Sequence, residues 1–225
     1  MNKRILLPVV LLMLACNDLG LAQTNDAGMW LSVNVEKKLN PVWALQFSEE
    51  LRLNENYTEV GTLFSDVGLS YKFNGNFKVS ANYRFTNSRR LDNIYDNRHR
   101  YYFDLNYRYK MKPLVFAVRG RWQSQYVDVF SSPDGKISEN YFRPKIEVKW
   151  DPDKKMLPFL SAEAFIATGI RKNNTGLGCM RYTAGTQFAF SARSNIEIFY
   201  MIQQEMNGKN PETDFILGIG YSFKF

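Results

Sequence analysis

Residues 214–225 read "DFILGIGYSFKF". Phe215, Leu217, Ile219, Tyr221, Phe223 and Phe225 fall on every second position, and the last of them is residue 225. A strand shows its side chains alternately to two faces, so this row occupies one face. Apolar groups at a fraying chain end normally gain little from folding. A row of this kind therefore needs a partner along its whole length.

The same alternation recurs about eleven times from residue 28 onward. Residues 62–73 carry Leu63, Val67, Leu69, Tyr71 and Phe73; residues 99–110 carry Tyr101, Phe103, Leu105, Tyr107 and Tyr109. The intervening positions are polar: Arg100, Asp104, Asn106 and Arg108 in one strand, Arg119, Arg121, Gln123 and Gln125 in the next. No stretch beyond residue 22 keeps helical spacing over three turns. The chain reads as all-β.

Alternation alone does not say which face meets water. A soluble barrel turns its apolar row inward, a transmembrane barrel outward. Three features decide. Short connections ("NPV" 40–42, "NGN" 74–76, "MKP" 111–113, "DPDKKM" 151–156, "ARS" 192–194) alternate with longer polar ones such as "TNSRRLDNIYDN" and "VDVFSSPDGKISE". Outer-membrane barrels have that asymmetry, with short periplasmic turns and longer external loops. The strands run ten to thirteen residues, against about 5–6 in globular sheets and about 9–11 for a tilted membrane-spanning strand. Aromatic residues gather at strand ends, as interfacial girdles require: Tyr71, Phe73, Phe77, Tyr107, Tyr109 and Trp150 near tight turns, Trp122 and Tyr126 near the opposite ends. The reading is an antiparallel up-and-down transmembrane β-barrel of 10–12 strands in the bacterial outer membrane. Closure needs first and last strands antiparallel, so ten or twelve is expected over eleven.

Composition agrees. The 225 residues suit one β domain, and aromatics make up 15% of them. Lys3 and Arg4, the apolar stretch 5–15 and the small residues Gly20 and Ala22 describe a secretory leader over 1–22, leaving 23–225 as the barrel. Lipoprotein processing at Cys16 is the alternative, with Leu14 a poor fit. Losing the leader removes Cys16 and leaves Cys179 without a disulfide partner. Loss of Lys3, Arg4 and Asp18 takes the net charge from +7 to +6. Export argues against nucleic acid as a partner of that basic excess.

Two resemblances add to this. Tyr221, Phe223 and Phe225, with Gly220, resemble the C-terminal signal by which the barrel-assembly machinery receives outer-membrane barrels. The segment "DAGMWLSVNVEKKLNPVWALQFSEELRLNEN", with Trp30, the pair Glu50 and Arg52, and Phe225, resembles the small bacterial outer-membrane proteins of the family catalogued as domain of unknown function 2490. The resemblance covers residues 28–225 and implies a barrel but no activity.

By parity, fourteen bases and eight acids point inward. The basic ladder is Arg52, Arg84, Arg100, Arg108, Arg119, Arg121, Arg143 and Arg181, joined by lysines that include Lys72, Lys78, Lys110 and Lys224; its acidic partners are Glu50, Asp104, Glu147 and Glu163. Asp104 lies between Arg100 and Arg108 on its strand, and such charge-paired ladders satisfy a narrow polar interior. A one-sign lining selects the opposite ion. The expected function is non-enzymatic: a narrow, porin-like, anion-leaning channel with small anionic solutes as partners, or a barrel plugged by its own side chains. The partner surface is outer-membrane lipid. The alternative is a rim hydrolase of lipid or peptide using His99, the sole histidine; parity puts His99 on the lipid-facing row, with no serine beside it in "NRHRYY". The oxygens of "DNIYDN", 92–97, lack the spacing of a calcium loop, so neither metal nor cofactor is expected. Glu49 falls on the apolar row between Phe47 and Leu51, and a bulge at Ser48–Glu50 would turn it inward.

Overall fold

The computed structural model describes residues 25–89, 94–127, 138–152, 155–169, 175–206 and 211–225. The expected leader, 1–22, lies outside them, as do residues 92 and 93 of the loop considered for calcium. Eleven strands follow one another: β1 Asn25–Lys38, β2 Trp43–Asn54, β3 Glu59–Lys72, β4 Phe77–Arg89, β5 Tyr95–Met111, β6 Leu114–Val127, β7 Glu139–Trp150, β8 Met156–Thr168, β9 Thr175–Ala189, β10 Ser194–Glu205 and β11 Thr213–Lys224. Each pairs antiparallel with the next, and β1 closes the barrel against β11.

That closing pair is parallel, from Asn25 opposite Thr213 to Glu36 opposite Lys224. The expectation of ten or twelve strands is corrected to eleven. An odd count makes first and last strands run the same way, so β1 starts at the long-connection end. Parallel pairing is slightly weaker per residue, yet it removes both free edges. The alternating row at the end of the chain is held by it. Phe225 N–H donates to the Glu36 carbonyl at 2.9 Å, and the Phe225 carbonyl accepts from Lys38 N–H at 3.2 Å.

Exposure fixes the sidedness. Phe103 is 62% and Leu160 66% exposed on the outer wall, whereas Arg143 is 5%, Asp104 8% and Glu163 8% exposed inside. Outer-wall aromatics form two bands. Near the tight turns, Trp43 and Tyr71, Tyr71 and Phe73, and Phe223 and Phe225 each sit 4.8 Å apart, and Phe77 and Tyr107 4.6 Å. Toward the other end, Tyr83 and Tyr101 lie 5.2 Å apart, and Tyr200 stacks on Phe215 at 6.5 Å.

The tight turns are built by side chains that mimic backbone. Asn40 Oδ1 accepts from Val42 and Trp43 N–H, Asn74 Oδ1 from Asn76 and Phe77 N–H, and Ser191 Oγ from Arg193 and Ser194 N–H. At the opposite end the strands reach further than their apolar rows do. β5 has 17 residues because Asp96, Asn97 and Arg98 continue the ladder with Ser88, Asn87 and Thr86. Asp26 anchors the β2–β3 connection there, its carboxylate accepting Glu55 N–H at 3.0 Å and Asn56 N–H at 3.1 Å. Glu55, Asn56 and Tyr57 all have positive φ, a conformation that needs such support.

The bulge lies elsewhere than expected. β2 and β3 keep regular register through Ser48, Glu49 and Glu50, and the shift falls between Arg52 and Leu53. Glu49 therefore stays on the outer wall, paired in register with Val33 and Ser65. It lines a groove of about 360 Å³ with Leu31, Val33, Leu51 and Leu63. Turning it inward would have flipped Glu50 and Arg52 out of the lumen, where they are joined at 2.6 Å.

Candidate functional site in the lumen

The expected ladder is inside the barrel, with Arg108 at its mouth, and the other members find partners mostly across strands. Arg121 makes a bidentate pair with Asp104, Nε to Oδ1 and Nη2 to Oδ2, both at 2.7 Å. Asp104 thus joins β6 rather than its strand neighbours Arg100 and Arg108. Arg100 instead donates to Gln125 Oε1, and Arg181 Nε to Gln203 Oε1 at 2.7 Å. Arg119 and Arg143 share Glu163 Oε1, and Arg143 Nη1 also reaches Gln123 at 2.9 Å. Glu147 sits between Lys145 and Lys149, each at 3.1 Å. Arg84 Nε and the Tyr102 hydroxyl both donate to Asp66 Oδ2, at 2.7 and 2.6 Å.

Between these cations lie rings that alternation had assigned no inward role. The Arg52 guanidinium lies 3.7 Å from the Trp30 ring, Arg84 3.5 Å from Phe64, Arg121 3.9 Å from Tyr102, and Arg143 3.9 Å from Phe165. Arg181 stands 4.4 Å from Phe165 and 5.1 Å from Trp30, spanning β10 and β11 to close the circle. Arginine and aromatic residues thus form a belt around the inside of the barrel. Such a contact stabilises by about 0.5–1 kcal/mol where exposed and by about 2 kcal/mol where desolvated. The belt is dense: Phe64 is 3% and Tyr102 5% exposed, and Asp66, Gln123 and Gln125 are buried with them.

The β8–β11 side of the lumen also carries an apolar patch. Phe159, Met201 and Ile216 are buried there. Phe199 covers Gly218, where a Cβ would come within 2.0 Å of its ring. The sequence carried a trace of this: in "IEIFYMIQ", 196–203, both parities are apolar, and Phe64 and Tyr102 interrupt otherwise polar rows.

On the tight-turn side of the belt the lumen is open. A cavity of about 260 Å³ is lined by Asn34, Gln46, Ser48, Asn82 and Ser222, with Asp66 and Tyr102 of the belt. It shares Glu36 and Lys224 with a mouth cavity of about 400 Å³. The mouth presents six cations, Lys38, Lys72, Lys78, Arg108, Lys110 and Lys224, and one carboxylate, Glu36. Lys78 approaches Glu36 at 3.8 Å.

His99 stands apart from the lumen. It lies on the outer wall with Nδ1 2.8 Å from the Tyr83 hydroxyl and its ring 5.5 Å from Phe85. Tyr221 and Phe225 are exposed on the outer wall, and Phe223 is half-buried beside them. No group of three or more metal-ligating side chains occurs among the described residues.

A closed barrel with an apolar exterior and a charged interior defines an outer-membrane-type β-barrel. The chain belongs to the family described as Protein of unknown function (DUF2490), whose model matches residues 27–214. Solved structures agree on the fold. A bacterial polysaccharide outer membrane secretin superposes with a TM-score of 0.54 at 12% identity, covering 79% of this chain and 63% of that one. The chain therefore spans less than two thirds of that relative. The NanC porin gives a TM-score of 0.50 at 14% identity, covering 79% of this chain and 86% of that one. A comparison with curated protein sequences gave no significant match.

Proposed function

We propose that the protein is a non-enzymatic barrel of the bacterial outer membrane, with its tight turns in the periplasm, long connections outside, and a lumen sealed at the belt in its resting state. The observation that carries this is the belt itself. Five arginines and four aromatic rings close on one another around the wall, and the residues between them are buried. Phe64 at 3% and Tyr102 at 5% exposure are packed against the guanidinium groups, which leaves little width for a hydrated ion.

The belt also sets which ion would pass if it opened. Arg100 and Arg181 are held by neutral glutamines, and Arg119 and Arg143 share a single carboxylate. The constriction keeps an excess of positive charge, which favours anions. The porin fold of one structural relative is compatible with conduction. The outward direction of His99, against Tyr83 and Phe85, suits an interfacial girdle better than a hydrolytic base. Tyr221, Phe223 and Phe225 serve as the signal for the assembly machinery.

Planar-bilayer recording tests the reading. Wild-type protein should pass almost no current, while Phe64→Ala with Tyr102→Ala should open a conductance whose reversal potential in a salt gradient shows anion preference. Steady pore-sized current through the wild type would overturn the seal. A cation-selective opened variant would overturn the charge assignment.

A further inference from the structure

We infer that the tight-turn mouth of the lumen is a binding site for a small, multiply charged anion that also carries hydroxyl groups, of the class of a sugar phosphate or sugar acid. The argument starts from a contrast among cations on the same inner wall. In the belt, arginines are buried or half-buried and engaged with carboxylates, amides or rings. In the mouth, Lys72, Arg108, Lys110 and Lys224 are exposed. Among the described residues, none of these four forms an ion pair with a carboxylate, and Glu36 is the one acid lining the same cavity. A ring of unpaired cations around a concavity concentrates field on its centre and attracts anions. Structural charge pairing, which accounts for the belt, does not account for these.

Depth adds the second half of the specificity. Beyond Glu36 and Lys224 the wall changes from cations to neutral donors and acceptors: Asn34, Gln46, Ser48, Asn82 and Ser222. Asn82 is already oriented, its Nδ2 donating to Ser80 Oγ at 3.0 Å. Amides and hydroxyls can donate and accept at once, which matches sugar hydroxyls and not a bare inorganic anion. The belt forms the floor through Asp66 and Tyr102. The mouth cavity of about 400 Å³ is in the range of small-molecule sites, roughly 300–1,000 Å³, and the adjoining cavity adds about 260 Å³. A ligand would enter with its charged groups at the mouth lysines and Arg108, and its hydroxyls against the amide-lined floor.

This site rests on the proposed orientation only for the statement that it faces the periplasm; binding itself requires neither the membrane assignment nor the seal. The test is calorimetric titration of the full barrel in detergent micelles with three probes: glucose 1,6-bisphosphate, inorganic pyrophosphate and glucose. The bisphosphate should bind saturably and weaken with added salt, pyrophosphate should bind less tightly, and glucose should not bind. Arg108→Gln with Lys110→Gln should weaken bisphosphate binding by about tenfold or more, and Asn82→Ala with Gln46→Ala should bring it down to the pyrophosphate level. Lys112→Gln, in the turn beside the mouth, should change nothing. Retained cooperative unfolding of each variant guards against misfolding. Absence of saturable binding, or binding untouched by the Arg108 and Lys110 changes, would overturn the site. Pyrophosphate binding as tight as the bisphosphate would overturn the hydroxyl-recognising floor. Conductance of the same preparations reads the seal separately, so failure of one claim leaves the other standing.

Discussion

The guanidinium of Arg84 lies 3.5 Å from the centre of the Phe64 ring, one strand away on the inner wall. Phe64 is thereby covered on the lumen side by a cation that Asp66 holds at 2.7 Å. An aromatic residue inside a charged barrel is thus tolerated, because the ring serves as the surface on which arginine is desolvated without losing its charge partner. Repeated around the wall, that relationship makes the belt.

Breaking one belt pair should be expensive. Arg121→Ala leaves Asp104 buried without its bidentate donor, and should destabilise the barrel by about 3–5 kcal/mol. Arg121→Ala with Asp104→Ala should cost less than the sum of the single changes. Equilibrium unfolding in lipid vesicles measures both, and additive losses would show that the two side chains act independently.

The charge left on the outer wall should be a liability. Glu49 faces the apolar groove beside Leu31, Val33 and Leu63, and carboxylates at such positions destabilise by less than the roughly 2–4 kcal/mol of a midplane lysine or arginine. Glu49→Leu should therefore raise stability by about 1–2 kcal/mol in the same unfolding assay. A loss of stability would mean that Glu49 has a partner on that wall.

Gly218 is required by the ring above it. A methyl there would meet Phe199 at 2.0 Å, so Gly218→Ala should cost about 1–3 kcal/mol through displacement of the ring. Gly218→Ala with Phe199→Leu should recover part of that loss, which differential scanning calorimetry would detect. Failure to recover would place the strain in the backbone of β11 instead.

Asp26 should control the order of the β2–β3 connection. Removing its carboxylate in Asp26→Ala frees the amides of Glu55 and Asn56, and their hydrogen exchange should accelerate by roughly tenfold, the equivalent of about 1.4 kcal/mol. Amides in the middle of β6 should be unaffected. Uniform acceleration across the barrel would mean that Asp26 supports closure rather than the connection.

The local features were legible in the sequence because side-chain direction in a strand has period two. Parity put Phe103 and Leu105 on one face and Arg100 and Asp104 on the other, and connection lengths, strand lengths and aromatic placement showed which face was outside. Asn40 and Asn74 marked their turns locally too, since each bonds its own backbone within three residues; Ser191, one residue before the quoted "ARS", does the same in its turn. His99 on the outer row and the Glu50–Arg52 pair followed from the same counting.

Parity, once sidedness was decided, also put cations on the interior, but it could not determine which carboxylate each would meet. Asp104 joins Arg121 because the β5–β6 register sets them opposite, and Arg181 reaches Trp30 because closure brings β9 and β1 to facing parts of one narrow wall. The parallel β1–β11 seam, the belt and the unpaired mouth cations likewise depend on strand number and closure. Alternation is a property of neighbouring residues and is written in the chain, whereas the belt is a property of residues far apart in sequence, and exists only once the sheet has bent round to meet itself.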